Sequence, residues 1–150
     1  MNNLNLAAVP EKKDIQSSAQ IQLLVDSFYK KVRKDPLLST IFEEHIQDWE
    51  AHLPTMYQFW EGLLFGTGSY QGNPLKKHIN LSVEKVHFET WVQIFVETVD
   101  EHFTGKNAQR AKQLANNIAN TFQHRLGIAS PDDPDAIPYY SRATAVTGAS

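Results

Sequence analysis

Tyr29, His52 and Trp91 are hydrogen-bonding side chains on the apolar stripes of three separate helical segments. A buried hydroxyl, imidazole or indole N–H left without a partner costs about 1–3 kcal/mol. Two arrangements satisfy these groups. They bond to one another and to backbone carbonyls, or they converge on a small polar ligand inside an aromatic-rich interior. A fourth residue of interest, His78, closes a predicted single helical turn behind a glycine-rich loop, with Leu75 three places earlier and Ile79 beside it. It is either an ordinary rim histidine or a neutral imidazole ligand to a metal. In the second case its other ring nitrogen would donate to a carbonyl near Pro74 or Leu75.

One protein ligand holds a bare ion poorly. A lone histidine suffices if a macrocycle such as haem fills the equatorial positions, and such a disc requires an aromatic lining. The rival metal chemistry is weaker. Glu84-Lys85-Val86-His87 has the Glu-x-x-His spacing of carboxylate-bridged di-iron bundles, but that site needs the pattern twice. No other histidine has an acidic residue three places before it, so Glu84 is expected to face solvent. No G-x-S-x-G elbow, G-x-x-x-x-G-K-[ST] loop or G-x-G-x-x-G turn is present for hydrolytic or nucleotide chemistry. The basic clusters are KKVRKD at 30 to 35, which reads as a solvated helix face, and Lys76-Lys77. Lys77 stands beside His78, where it could meet an anionic group such as a haem propionate.

The elements that must position these residues are helical throughout. Ser17 with Gln20 three places on has capping-box spacing, and Ile21, Leu24, Val25, Phe28, Tyr29 and Val32 follow at intervals of three and four. Pro36 ends that helix and opens a short one to Phe42, with Asp35 as its cap. A third helix starts between Asp48 and His52 and carries His52, Met56, Phe59, Trp60 and Leu63 on one stripe to about Leu64. Pro54 blurs its start, because proline lacks an N–H and crowds the carbonyl of Glu50. The breakers in GLLFGTGSYQGNP at 62 to 74 make a loop, followed by a one-turn helix over 74–78 with Asn73 as cap. Ser82 is expected to cap a long helix with Phe88, Trp91, Val92, Phe95 and Val99. A last helix from Lys106 to about Leu126 ends at Gly127.

Composition narrows the function further. At 150 residues, 41% hydrophobic and 21% charged, the chain is expected to form one domain over 14–128, between a tail at 1–13 and a Pro-containing tail at 129–150. A net charge of −3 and the lack of a basic patch argue against a nucleic-acid partner. With no cysteine, disulfides, thiolate metal sites and cysteine nucleophiles are excluded, and a cytoplasmic setting is consistent. No stretch has the apolar length of a signal peptide or a membrane span, so no membrane partner is expected.

The combination of Phe28-Tyr29, Phe42, His52 with Phe59-Trp60, GTGSYQGNPLKKH ending at His78, and HFETW ending at Trp91 resembles the truncated haemoglobins, most specifically group III. The likeness spans about residues 17 to 127. The absence of any Gly-Gly pair agrees, since groups I and II carry such pairs. The resemblance implies an all-α two-over-two helical sandwich holding haem b, with His78 as the proximal iron ligand. It also implies Tyr29, His52 and Trp91 on the distal side and Phe42 on the porphyrin face, with Met56 and Trp60 completing the pocket. Phe28, Lys77 and Phe88 are further expected cofactor contacts. The function implied is reversible binding of O2, CO or NO, with distal hydrogen bonds stabilising the ligand. The alternatives are a haem redox enzyme acting on nitric oxide or peroxide with an external reductase, and a cofactor-free helical interaction module. Under the resemblance, His52 has three open roles: donor, gate, or iron ligand in the unliganded state.

Overall fold

A computed structural model describes residues 11–67 and 83–128. It contains five helices among them: α1 (Ser18–Val32), α2 (Pro36–His45), α3 (Trp49–Phe65), α4 (Lys85–His102) and α5 (Lys106–Arg125). The expected one-turn helix over 74–78, with Lys77 and His78, lies outside the described residues, as does almost all of both expected tails. Helix α1 packs against α3 and α4, and α4 packs against α5, so two helix pairs, α1/α3 and α4/α5, are joined through the α1–α4 contact.

Local chemistry sets most of the helix ends. The Asp35 carboxylate accepts from the N–H groups of Leu37 and Leu38 at 3.0 and 2.9 Å, and Pro36 takes the first helical position where no N–H is needed. Asp48 caps α3 by accepting from Ala51 at 3.2 Å. Pro54 lies inside α3 and does not delay its start, because His52 N–H already donates to the Asp48 carbonyl at 3.0 Å. Glu50 and Pro54 are both exposed, so water can take up the carbonyl that the missing N–H leaves free. Gly66 ends α3 in the left-handed region at φ 74°, which is open to glycine at no steric cost.

Two caps differ from expectation. Ser17 stands at the N-cap of α1, but its side chain makes no cap bond, and Gln20 reaches past it to accept from Gln16 N–H at 2.5 Å. The α4 helix starts at Lys85, not at the turn after Ser82, with Glu84 as N-cap. There the Nδ1 of His87 accepts from the Glu84 backbone N–H at 2.9 Å. The Glu-x-x-His spacing is therefore a helix-capping device, with Glu84 exposed as expected.

The apolar stripe of α1 closes completely: Ile21, Leu24, Val25, Phe28, Tyr29 and Val32 are all buried, together with Val92, Phe95 and Val99 of α4. The stripe of α3 does not. Trp60 is buried, whereas Met56, Phe59 and Leu63 are half-buried, so one side of α3 borders open space.

The segment before α1 is tied to the far end of the chain. Lys13 forms an isolated bridge with Phe103, and the Asp14 carboxylate caps α5 by accepting from Asn107 and Ala108 at 2.9 and 2.8 Å. Gly105 is required beside it, since a Cβ there would lie 2.4 Å from the Asp14 Cγ and φ is +135°. Replacing Asp14 with Ala should cost about 1–2 kcal/mol, the usual loss of a helix cap. Thermal unfolding checks this, and an unchanged midpoint would contradict it.

Candidate functional site

The open space beside α3 is a cavity of about 490 Å³, bounded by residues of α1 to α5. That size is within the range of small-molecule and cofactor pockets. Its lining joins residues far apart in sequence: Tyr29, Phe42, His52, Met56, Trp60, Phe88 and Trp91 all face it. Every described residue expected at the site is therefore in the lining except Phe28. Phe28 is fully enclosed one layer back, edge-on to Tyr29 at 5.0 Å, Trp91 at 5.6 Å and Phe95 at 5.2 Å between ring centroids.

The three polar side chains are held by rings. The hydroxyl-bearing ring of Tyr29 meets His52 edge-to-face at 5.4 Å and Trp49 at 5.4 Å. Trp49 packs edge-on against His52 at 5.7 Å, stacks with Phe42 at 6.5 Å, and is covered from outside by the Arg33 guanidinium 4.6 Å from its ring. Trp91 stacks on Phe95 at 5.9 Å, and Phe95 stacks on Trp60 at 4.7 Å. No hydrogen bond joins the Tyr29 hydroxyl or the Trp91 indole N–H to another described residue. Both donors nevertheless belong to side chains facing the cavity. Mutual or backbone bonding, the first arrangement open to this pair on sequence grounds, is thus not what the described residues adopt.

Trp49 was not singled out by the sequence reading, although its position three residues before His52 puts both on one face of α3. His87, Phe59 and Phe122 also line the cavity without having been expected there. His87 was read only as half of a possible metal motif. Among the described residues, no group of three or more metal-ligating side chains exists.

The arrangement has close counterparts among known proteins. A family model described as bacterial-like globin matches residues 13–124. A group 3 truncated hemoglobin of Campylobacter jejuni is 37% identical over 111 residues, which covers 71% of this chain and 87% of that protein. The chain belongs to the group III truncated haemoglobins. The crystal structure of a group III truncated hemoglobin from Campylobacter jejuni superposes with a TM-score of 0.72 at 35% identity, covering 77% of this chain and 95% of that one. The all-α globin fold of this truncated haemoglobin is thus established from sequence and from structure. Among the described residues, no helix is long and apolar enough to cross a membrane.

Burial also changes the acidity of two phenols in this globin. Desolvation raises the Tyr29 hydroxyl well above its ordinary value. Tyr57 on α3 is pushed up to about 12, by desolvation first and then by its hydrogen bond to Asp26 of α1. For both groups the folded state favours the neutral form. Their contribution to stability is therefore complete below the ordinary phenol pKa of about 10 and is lost as pH rises through the raised values. Replacing Tyr29 with Phe should move alkaline unfolding, followed by helicity, to higher pH. A shift to lower pH would contradict the assignment.

Proposed function

We propose that this truncated haemoglobin holds haem b in the cavity and binds O2, CO or NO there, with the Tyr29 hydroxyl and the Trp91 indole N–H as donors to the ligand. One observation carries the reading: the buried Tyr29 and the half-buried Trp91 each bring a donor, without an acceptor among the described residues, to an aromatic-lined space of cofactor size. The family supports it independently, since globins are haem proteins that bind diatomic gases. The residues present fit a haem. Phe42, Met56, Trp60 and Phe88 supply apolar surface for a macrocycle, and the chain has no cysteine for covalent attachment, which selects a b-type haem over a c-type one.

His78 is the proposed proximal ligand, with Lys77 beside it for a propionate; both lie outside the described residues. Among the described histidines facing the cavity, His87 is unsuited to ligation because its Nδ1 accepts the Glu84 N–H, so the ring proton sits on Nε2. When bound, a haem supplies an iron with an open position for a diatomic ligand and pushes electron density onto it. The protein's part is electrostatic. A phenol O–H and an indole N–H held rigidly by neighbouring rings point donor dipoles at a partly negative ligand, in surroundings where such bonds are stronger than in water. Burial keeps the Tyr29 proton in place, which a donor requires. His52, edge-on to Tyr29 at the cavity wall, is the proposed third distal residue.

Two donors that hold a ligand slow its loss, which favours retention over delivery. Haem-loaded protein should show a Soret band that the His78→Ala variant loses or shifts. In Tyr29→Phe, O2 dissociation should quicken about tenfold or more, the factor for about 1.4 kcal/mol of lost hydrogen bonding. Protein that takes up no haem would refute the reading, and an unchanged dissociation rate would remove the hydroxyl from it.

A further inference from the structure

We infer that His87 is a carboxylate-anchoring residue of the site, donating from Nε2 to a propionate of the haem. This rests on the haem reading above and goes beyond it by assigning a side chain so far accounted for only as a helix cap.

The tautomer of His87 is fixed by its own backbone contact. A neutral imidazole has one donor and one acceptor nitrogen, and Nδ1 is the acceptor, taking the Glu84 N–H at 2.9 Å. The remaining proton is on Nε2, and the ring is part of the cavity lining. The donor of the His87 ring is thus Nε2, and the same bond that caps α4 holds the orientation of the ring.

Its place along α4 decides what it donates to. Phe95, Trp91 and His87 succeed one another at intervals of four on one face of the helix. Phe95 is fully buried, Trp91 stacks on it, and His87 is half-buried in the first turn. The stripe therefore runs from the core outward to the rim. A haem is apolar except for two carboxylates on one edge, and burying those charges unpaired is costly, so that edge belongs at a rim. At the α4 end of the rim the helix N-terminus contributes partial positive charge, part of which the exposed carboxylate of the N-cap residue Glu84 offsets. On the α2–α3 side the rim carries the carboxylate of Asp48, which repels another carboxylate. No lysine or arginine lies among the described lining residues, which leaves the histidines as donors to a carboxylate there.

The test separates the two uses of the ring. Gln at the third helical position is the ordinary capping-box partner, so His87→Gln keeps an acceptor for the Glu84 N–H while removing the Nε2 donor. His87→Glu also keeps the acceptor and adds a repelling charge. Apoprotein is reconstituted with haem b or with its dimethyl ester, whose carboxylates are blocked, and loss of the pigment to excess apomyoglobin is timed. With haem b, His87→Gln should lose it about tenfold faster than the unmodified chain, and His87→Glu faster still. With the ester, all three proteins should lose it at the same rate. Equal rates with haem b, or the same acceleration with the ester, would overturn the assignment. If the unmodified chain takes up neither pigment, the haem reading itself fails.

Discussion

Two donors, the phenol of Tyr29 and the indole of Trp91, sit at the wall of an aromatic-lined cavity with no hydrogen-bond partner among the described residues. A hydrogen bond from each to an acceptor in that space is worth about 1 kcal/mol. The fold holds both in place. Their rings are wedged by Phe28, which touches both, and by the stack of Trp91 on Phe95 and Phe95 on Trp60. Under the proposed function, a ligand that accepts from both is the partner this arrangement serves.

The same packing couples the helices. Phe28 and Tyr29 are consecutive on α1, yet one backs the site and the other forms it. Phe28 knits α1 to α4, while Tyr29 faces α3 through His52 and Trp49. Trp49 links the site to the surface, since it touches Tyr29, His52 and Phe42 on one side and carries Arg33 on the other. The start of α3 is thereby tied to α1 at the cavity wall. The α4–α5 pair is set separately, by the apolar seam and by the Asp14 carboxylate that caps α5.

Much of this was legible in the chain. Helical periodicity places the buried faces of α1 and α4 correctly, because a core stripe is a property of spacing alone. The convergence of Tyr29, His52 and Trp91 follows from the cost of burying their polar atoms. Periodicity is too coarse to separate Phe28 from Tyr29, only 100° apart on the helix, and so both read as site residues. The half-buried state of Met56 and Phe59 is invisible in a stripe, since both border the cavity. The start of α4 at Lys85 is not legible because histidine at the third position is an uncommon capping partner. Trp49 was passed over because it opens α3 rather than standing within its apolar stripe.

The most direct test of the distal donors is the C–O stretching frequency of the CO-loaded ferrous protein, which reports the electric field at the ligand. Donors aimed at the ligand oxygen draw electron density onto CO and lower that frequency. The unmodified chain should show a low stretch that rises in Tyr29→Phe and again in the double variant that also carries Trp91→Phe. A frequency that stays the same in all three proteins would mean that neither donor faces the ligand.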